Sequence, residues 1–112
     1  MTLDELCDWH ARRAGWTQKI EGDFEDAKWC LHHHSQWDHP YPPTLDGAAR
    51  AFQCNELEGW TLFRVGAFPV LTQWEALGLD RMTSVEVEDT GNEIYDRYLL
   101  AKKCLEEREA AR

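Results

Sequence analysis

Apolar residues recur every three or four positions in the N-terminal segment, which is the spacing of one face of a helix. Thr2 can cap a helix, and Glu5, three residues later, can complete a capping box with it. Gly15 is a natural C-terminal stop, and Trp16 just after it can fold back on the last turn. The apolar stripe of this helix would comprise Leu3, Leu6, Cys7, Ala11 and Ala14. The pattern therefore predicts an amphipathic helix that ends near Gly15.

Residues 16–36 fit more than one structure. Trp16, Gln18 and Ile20 alternate with polar neighbours as a short strand does, and a turn signal follows at residues 21–23. Beyond the turn, a helical face would use Phe24, Ala27, Lys28 and Leu31, whereas a strand would use Ala27, Trp29 and Leu31. A hairpin over about residues 16–32 and a short helix after Asp23 both stay open, and the hairpin is favoured.

The stretch from Trp37 to Phe52 begins as a stiff loop and continues as a helix. Its three prolines, at positions 40, 42 and 43, fix backbone φ angles and push the preceding residues towards extended geometry. Thr44 is a good N-cap for a helix whose apolar face would contain Leu45, Ala48, Ala49 and Phe52. Gly47 weakens that helix by up to ~1 kcal/mol relative to Ala, so we expect it to permit close packing against a neighbour.

The second half of the chain reads as three strands and a helix. Alternating or β-branched patterns predict strands over residues 60–65, over residues 70–74 with a possible extension to Ala76, and around Val85 and Val87. Short connections between them imply an antiparallel meander. Thr90 and Glu93 suggest a capping box for the last helix. Its apolar face would comprise Ile94, Tyr95, Tyr98, Leu99, Ala101 and Leu105.

These elements predict an α+β fold. A three-stranded sheet with apolar residues on both faces needs helices to cover it, so we expect an α/β/α sandwich. The length of 112 residues predicts a single domain over residues 1–112. A hydrophobic content of 43% with six tryptophans is typical of a folded chain.

Charge and composition narrow the function classes. The net charge of −9 opposes direct binding to nucleic acid and to anionic membranes, and it permits a basic protein partner. We see no signal peptide or membrane span. The four cysteines show no C-x-x-C spacing, so we interpret them as reduced, mostly buried thiols of a cytoplasmic protein.

Part of the chain resembles a known family. The segments H-P-Y-P-P-T-L-D-G-A-A-R-A-F, W-T-L-F-R-V and D-T-G-N-E-I-Y-D-R-Y-L-L-A resemble the small phage ABA-sandwich domain proteins, over Trp37 to Leu105. The resemblance implies a phage or mobile-element origin and no assigned enzyme activity. The Cys30–His34 cluster departs from that family. By analogy with other small acidic phage proteins, the resemblance also suggests a chain that binds or inhibits a host protein.

Possible metal ligands crowd the segment before the prolines. Zinc can be bound by Cys30, His32, His33, His34, Asp38 and His39. Their spacing is poor for a structural site, because three consecutive histidines cannot all face one ion. We therefore expect no metal and no cofactor, and a metal-dependent function at Cys30–His39 is the alternative. No catalytic signature is present, so we expect no enzyme activity.

The aromatic residues are a better lead. Trp37 and Tyr41 lie on the stiff loop with Asp38 and His39, and Trp9 lies off the apolar stripe of the first helix. Tyr and Trp dominate interface hot spots, although each ring can instead pack as a lid over the core. We therefore predict a protein-binding module that uses these five residues, acting on a host defence or nucleic-acid-handling protein. A structural homo-oligomer, with a homodimer as its simplest form, is a second alternative.

Overall fold

A computed structural model describes residues 1–20, 27–66, 73–78 and 82–110. The helices are α1 (Leu3–Arg13), α2 (Leu45–Phe52), α3 (Glu93–Ala110) and a 3-10 helix over Asn55–Leu57. The strands are β1 (Thr17–Ile20), β2 (Ala27–Leu31), β3 (His34–Gln36), β4 (Thr61–Val65), β5 (Gln73–Leu77) and β6 (Ser84–Glu88). Two antiparallel sheets form in sequence order, β1-β2-β3 and β4-β5-β6. The α+β class is therefore confirmed.

Helix α1 begins and ends where the sequence predicts. The Thr2 hydroxyl accepts from the Glu5 backbone N–H at 3.2 Å, and the Glu5 carboxylate accepts from the Thr2 N–H at 3.1 Å. Gly15 has a φ of +103°, which a residue without a Cβ adopts at low cost. The stripe is shifted, however, because His10 is buried and Ala14 is exposed.

The first sheet confirms the hairpin and adds a strand to it. Cys30 in β2 pairs with Thr17 in β1 and with Ser35 in β3. The helical alternative is wrong for residues 27–31, which form β2; residues 21–26 lie outside the described part of the chain. Strand β3 is not predicted by the sequence pattern, because its three residues are all polar and show no alternation.

The second sheet packs one face on α3. Trp74 and Ala76 in the central strand β5 are 5% and 0% exposed. In the register, Trp74 stands opposite Arg64 in β4 and Val87 in β6. Strand β5 extends past the predicted end to Leu77, and the predicted start at residues 70–72 lies outside the described residues.

Helix α3 is the centre of the core. It contacts α1, α2, β5, β6 and the 3-10 helix. Its fully buried positions are Asp96, Tyr98, Leu100, Ala101, Cys104 and Leu105. Leu100 and Cys104 are thus missing from the predicted face, and Ile94, Tyr95 and Leu99 are only half-buried.

The predicted Thr90–Glu93 capping box at the start of α3 is wrong. The Asn92 side chain accepts from the backbone N–H of Tyr95 at 3.1 Å, so Asn92 caps the helix. Thr90 instead donates its hydroxyl to the buried carboxylate of Asp96 at 2.7 Å. Glu93 forms an ion pair with Arg97, one helical turn further on.

The predicted sandwich is not confirmed. Helix α3 lies against β5 and β6, whereas the principal helix contacts of α1 and α2 are with α3. The strands β1, β2 and β3 also form a second sheet, of which the sequence predicts the β1–β2 hairpin but not β3. Within the described ranges, no helix has the length and apolarity that a membrane crossing requires.

Candidate functional site

The connection between β3 and α2, residues 37–44, is here called the proline loop. Its middle is held against the body of the protein. Pro40 is fully buried, and its carbonyl oxygen accepts a 2.7 Å hydrogen bond from Nη1 of Arg50 in α2. At the start of the loop, the Gln36 side chain donates to the carbonyl of Asp38 at 2.7 Å. The loop is thus a fixed path and not a free excursion.

His39 attaches the loop to α1. Its Nδ1 accepts a 2.9 Å hydrogen bond from the backbone N–H of Tyr41, so the ring proton sits on Nε2. Nε2 therefore donates to the Asp8 carboxylate at 2.7 Å. The ring also lies 4.5 Å from the Trp29 ring, centroid to centroid. With both nitrogens engaged, His39 serves as a brace for the loop.

The C-terminal part of the loop is attached to α3. The Tyr98 hydroxyl donates to the carbonyl of Pro42 at 2.6 Å. Thr44 caps α2 by accepting from the Gly47 N–H at 3.1 Å, as predicted. A Cβ on Gly47 would overlap both the Pro42 carbonyl oxygen and the Tyr98 hydroxyl. The expectation that Gly47 permits close packing is confirmed. Leu45, predicted on the apolar face of α2, is instead 49% exposed.

The predicted site residues of the loop separate into two groups. Trp37 is 51% exposed and Asp38 is exposed, so these two residues form the tip of the proline loop. Lys28 of β2 places its ammonium 5.2 Å from the centre of the Trp37 ring. Tyr41 is only 9% exposed and belongs to the core, not to an exposed recognition surface. His39 is half-buried behind the tip.

Trp9 lies in different surroundings. The half-buried ring packs edge-on against His10, with the ring centroids 4.9 Å apart. The ammonium of Lys102 in α3 sits 5.1 Å from the centre of the Trp9 ring. Trp9 therefore contributes to the α1–α3 packing.

The candidate metal ligands do not converge. His32 occupies the turn between β2 and β3 with a φ of +53°, and His34 stacks edge-on with Trp16 at 5.8 Å. Cys30 points its thiol towards the carbonyl of Lys28 at 3.9 Å. In the part of the chain that the structure describes, no three His, Cys, Asp or Glu side chains are grouped to hold a metal ion. All four cysteines are free thiols, with Cys7 and Cys104 buried and the other two half-buried.

A cleft that no sequence pattern predicts opens behind the proline loop. It has a volume of about 360 Å³ and lies between α1, α2, the 3-10 helix and α3. Arg13 and Arg50 line it, together with Tyr41 and Glu56, and we call it the arginine cleft. Its residues come from distant parts of the sequence, so only tertiary packing brings them together.

Burial and hydrogen bonding shift the pKa values of the ionisable groups in the arginine cleft. Burial lowers the pKa of His10 to about 4, so its ring is neutral near pH 7; its Nε2 donates to the Tyr98 carbonyl at 2.9 Å. Burial raises the pKa of Tyr41. The pKa of Glu56 is lowered, first by a hydrogen bond to its own backbone N–H, so it is a carboxylate.

Comparison of the chain with protein-family models, curated proteins and solved structures found no match. The resemblance to the phage ABA-sandwich domain proteins therefore stays a prediction.

Proposed function

We propose that this chain is a non-enzymatic protein-binding module and that the tip of the proline loop is its recognition element. The observation that carries the proposal is the exposed indole of Trp37 on a braced loop. A side chain of this size with half of its surface in water is an ordinary anchor for a protein interface.

The bracing lowers the cost of binding. Ordering side chains and loops at an interface costs free energy and so weakens binding. Here the path behind Trp37 is tied to α1 through His39 and Asp8, to α2 through Pro40 and Arg50, and to α3 through the Tyr98 hydroxyl. A partner that buries the indole would therefore have little backbone left to immobilise.

Charge favours a basic partner. The net charge of −9 creates a negative field that steers cationic surfaces towards the protein and repels nucleic acid. Asp38 places a carboxylate next to Trp37, where it can pair with a Lys or Arg of the partner at the rim of the interface.

We further propose a compartment and a target for the chain. It acts in the bacterial cytoplasm and inhibits a defence or nucleic-acid-handling protein by occupying the basic groove of that protein. The resemblance to small phage proteins and the four cysteines, none of which forms a disulfide, support it.

The test is a binding measurement with a matched control. A partner captured from a bacterial lysate is purified, and its affinity is measured for the wild type, Trp37→Ala and Leu45→Ala. Leu45 is a suitable control because it is 49% exposed, against 51% for Trp37.

We expect Trp37→Ala to weaken binding about 30-fold, which corresponds to the ~2 kcal/mol of an interface hot spot, and Leu45→Ala to change it less than twofold. Circular dichroism confirms that both variants are folded. Equal affinities for Trp37→Ala and Leu45→Ala, or no specific partner for the wild type, would contradict the proposal.

A further inference from the structure

We infer that the arginine cleft binds a small monoanionic carboxylate that carries an apolar body. This site lies behind the proline loop and is separate from the exposed tip that we propose for protein binding. Its volume of about 360 Å³ lies at the lower end of the range found for small-molecule sites. Six lining residues carry the argument: Arg13, Tyr41, Arg50, Ala51, Glu56 and Leu105.

The net charge of the lining side chains is balanced by a ligand with one negative charge. Arg13 and Arg50 each bring a positive charge, and Glu56 brings a negative one, in a protein whose overall charge is −9. The neutral ring of His10 adds none. A monoanion balances this set of side chains, whereas a phosphate dianion would exceed it.

Glu109 of α3 is the internal competitor for Arg13. Its carboxylate accepts from Nη2 of Arg13 at 2.7 Å, but the Glu109 side chain is 56% exposed and does not line the cleft. Exposed ion pairs of this kind are screened by water and salt and contribute little free energy. A carboxylate that enters the cleft can therefore compete with Glu109 for the guanidinium.

Polar donors around the cleft remain available to a ligand. Nη1 of Arg13 is 3.6 Å from the Glu56 carboxylate, which is beyond hydrogen-bond distance. The Tyr41 hydroxyl has no hydrogen-bond partner among the described residues. Nη1 of Arg50 is fixed by the Pro40 carbonyl, which orients the rest of the guanidinium. Arg13, Tyr41 and Arg50 all line the same cleft.

Part of the lining is apolar. Ala51 of α2, Leu105 of α3 and the ring of Tyr41 all line the cleft. An acetate-sized anion would make few contacts with these side chains. A ligand with an aromatic or branched aliphatic body would pack against them and fill the cleft, so the site favours such a carboxylate over a bare anion.

The experiment is a titration of the ¹⁵N-labelled protein followed by NMR. The probes are benzoate, acetate, benzyl alcohol and inorganic phosphate, each at pH 8, where inorganic phosphate is mainly the dianion. We expect benzoate to bind with a Kd of about 1 mM or below and to shift the resonances of Arg13, Arg50 and Tyr41. Acetate, benzyl alcohol and phosphate should each bind at least tenfold more weakly.

Variants separate the site from a general charge effect. Arg50→Gln should weaken benzoate binding at least tenfold, and Arg13→Gln should do the same. Arg12→Gln is the control, because Arg12 lies next to Arg13 in sequence but bonds to Gln18 and stacks over Trp29. Glu109→Gln should strengthen binding several-fold by releasing Arg13.

Several outcomes would overturn the inference. In the titration, these are shifts confined to residues outside the cleft, or an affinity for benzyl alcohol or phosphate equal to that for benzoate. Among the variants, it is an equal loss of benzoate affinity in Arg50→Gln and Arg12→Gln. None of them bears on the tip of the proline loop, so the proposed protein binding is tested independently.

Discussion

The hydroxyl of Tyr98 in α3 donates a 2.6 Å hydrogen bond to the carbonyl oxygen of Pro42 in the proline loop. The backbone carbonyl of the same tyrosine accepts a 2.9 Å hydrogen bond from Nε2 of His10 in α1. Tyr98 is fully buried. One residue of the central helix therefore fixes both the first helix and the loop that carries Trp37.

Tyr98→Phe tests the contribution of the hydroxyl bond. Phenylalanine fills the same space, and the Pro42 carbonyl keeps its second partner, the Thr44 N–H at 2.8 Å. We expect a loss of about 1 kcal/mol in the free energy of unfolding, measured by urea denaturation. Tyr95→Phe is the control, since the Tyr95 hydroxyl donates to the Met1 carbonyl in an exposed position. Equal stability of Tyr98→Phe and the wild type would show that the bond contributes nothing.

Gly47→Ala tests the close approach of α2 to the loop. Alanine is the better helix former by about 1 kcal/mol, so propensity alone predicts stabilisation. The added Cβ would overlap the Pro42 carbonyl oxygen and the Tyr98 hydroxyl, and overpacking of this kind costs roughly 1–3 kcal/mol. We expect a net loss in thermal and urea denaturation. Combining it with Tyr98→Phe should recover part of the loss, because one of the two overlapping atoms is then absent. A more stable Gly47→Ala would refute the packing argument.

His10 predicts how stability depends on pH. Burial lowers its folded-state pKa from 6.5 to about 4. Below pH 6.5 the unfolded chain therefore binds a proton that the folded chain does not. The contribution of His10 is complete above pH 6.5, and about 3 kcal/mol of it is lost as the pH falls to 4. His10→Gln should flatten the unfolding free energy between pH 6.5 and 4, and His33→Gln, an exposed control, should not. An unchanged slope in His10→Gln would exclude His10 as the cause.

The sequence predictions are correct where a feature is determined by residues close together in the chain, and they fail where it depends on distant residues. Thr2, Glu5 and Gly15 define α1 through contacts within a few residues, and Thr44 does the same for the start of α2. Strand β3 was missed because its side chains are polar and it forms by pairing with β2, which no local pattern indicates. The cap of α3 was misplaced because the Thr90 hydroxyl is taken by Asp96, six residues away, a choice that the capping pattern does not encode.

The site was predictable only in part, for the same reason. The three prolines and Thr44 predict a stiff loop ahead of a helix, and Trp37 lies on it as an exposed ring. The partners of that loop, Asp8, Arg50 and Tyr98, are 31, 10 and 56 residues away from the groups that they bind. One further residue could have been found: His10 lies three and four residues after Cys7 and Leu6, so its spacing places it on the buried stripe.

Asp8→Ala tests whether the bracing of the loop matters for recognition. The variant removes the acceptor of the His39 Nε2–H while leaving Trp37 unchanged. Because the Asp8 side chain is 46% exposed, water replaces much of the lost interaction, and we expect a stability loss below about 1 kcal/mol. The larger effect should be on order: the ¹⁵N order parameter of Trp37 should fall from roughly 0.85 towards 0.6.

The looser loop then has to be ordered on binding, so the affinity for the protein partner should fall by about three- to tenfold, less than for Trp37→Ala. Asp4→Ala is the matched control, since it removes a carboxylate from the exposed first turn of the same helix. If Asp8→Ala left both the order parameter and the affinity unchanged, the contact between α1 and the loop would be incidental, and Trp37 would depend on the α2 and α3 contacts alone.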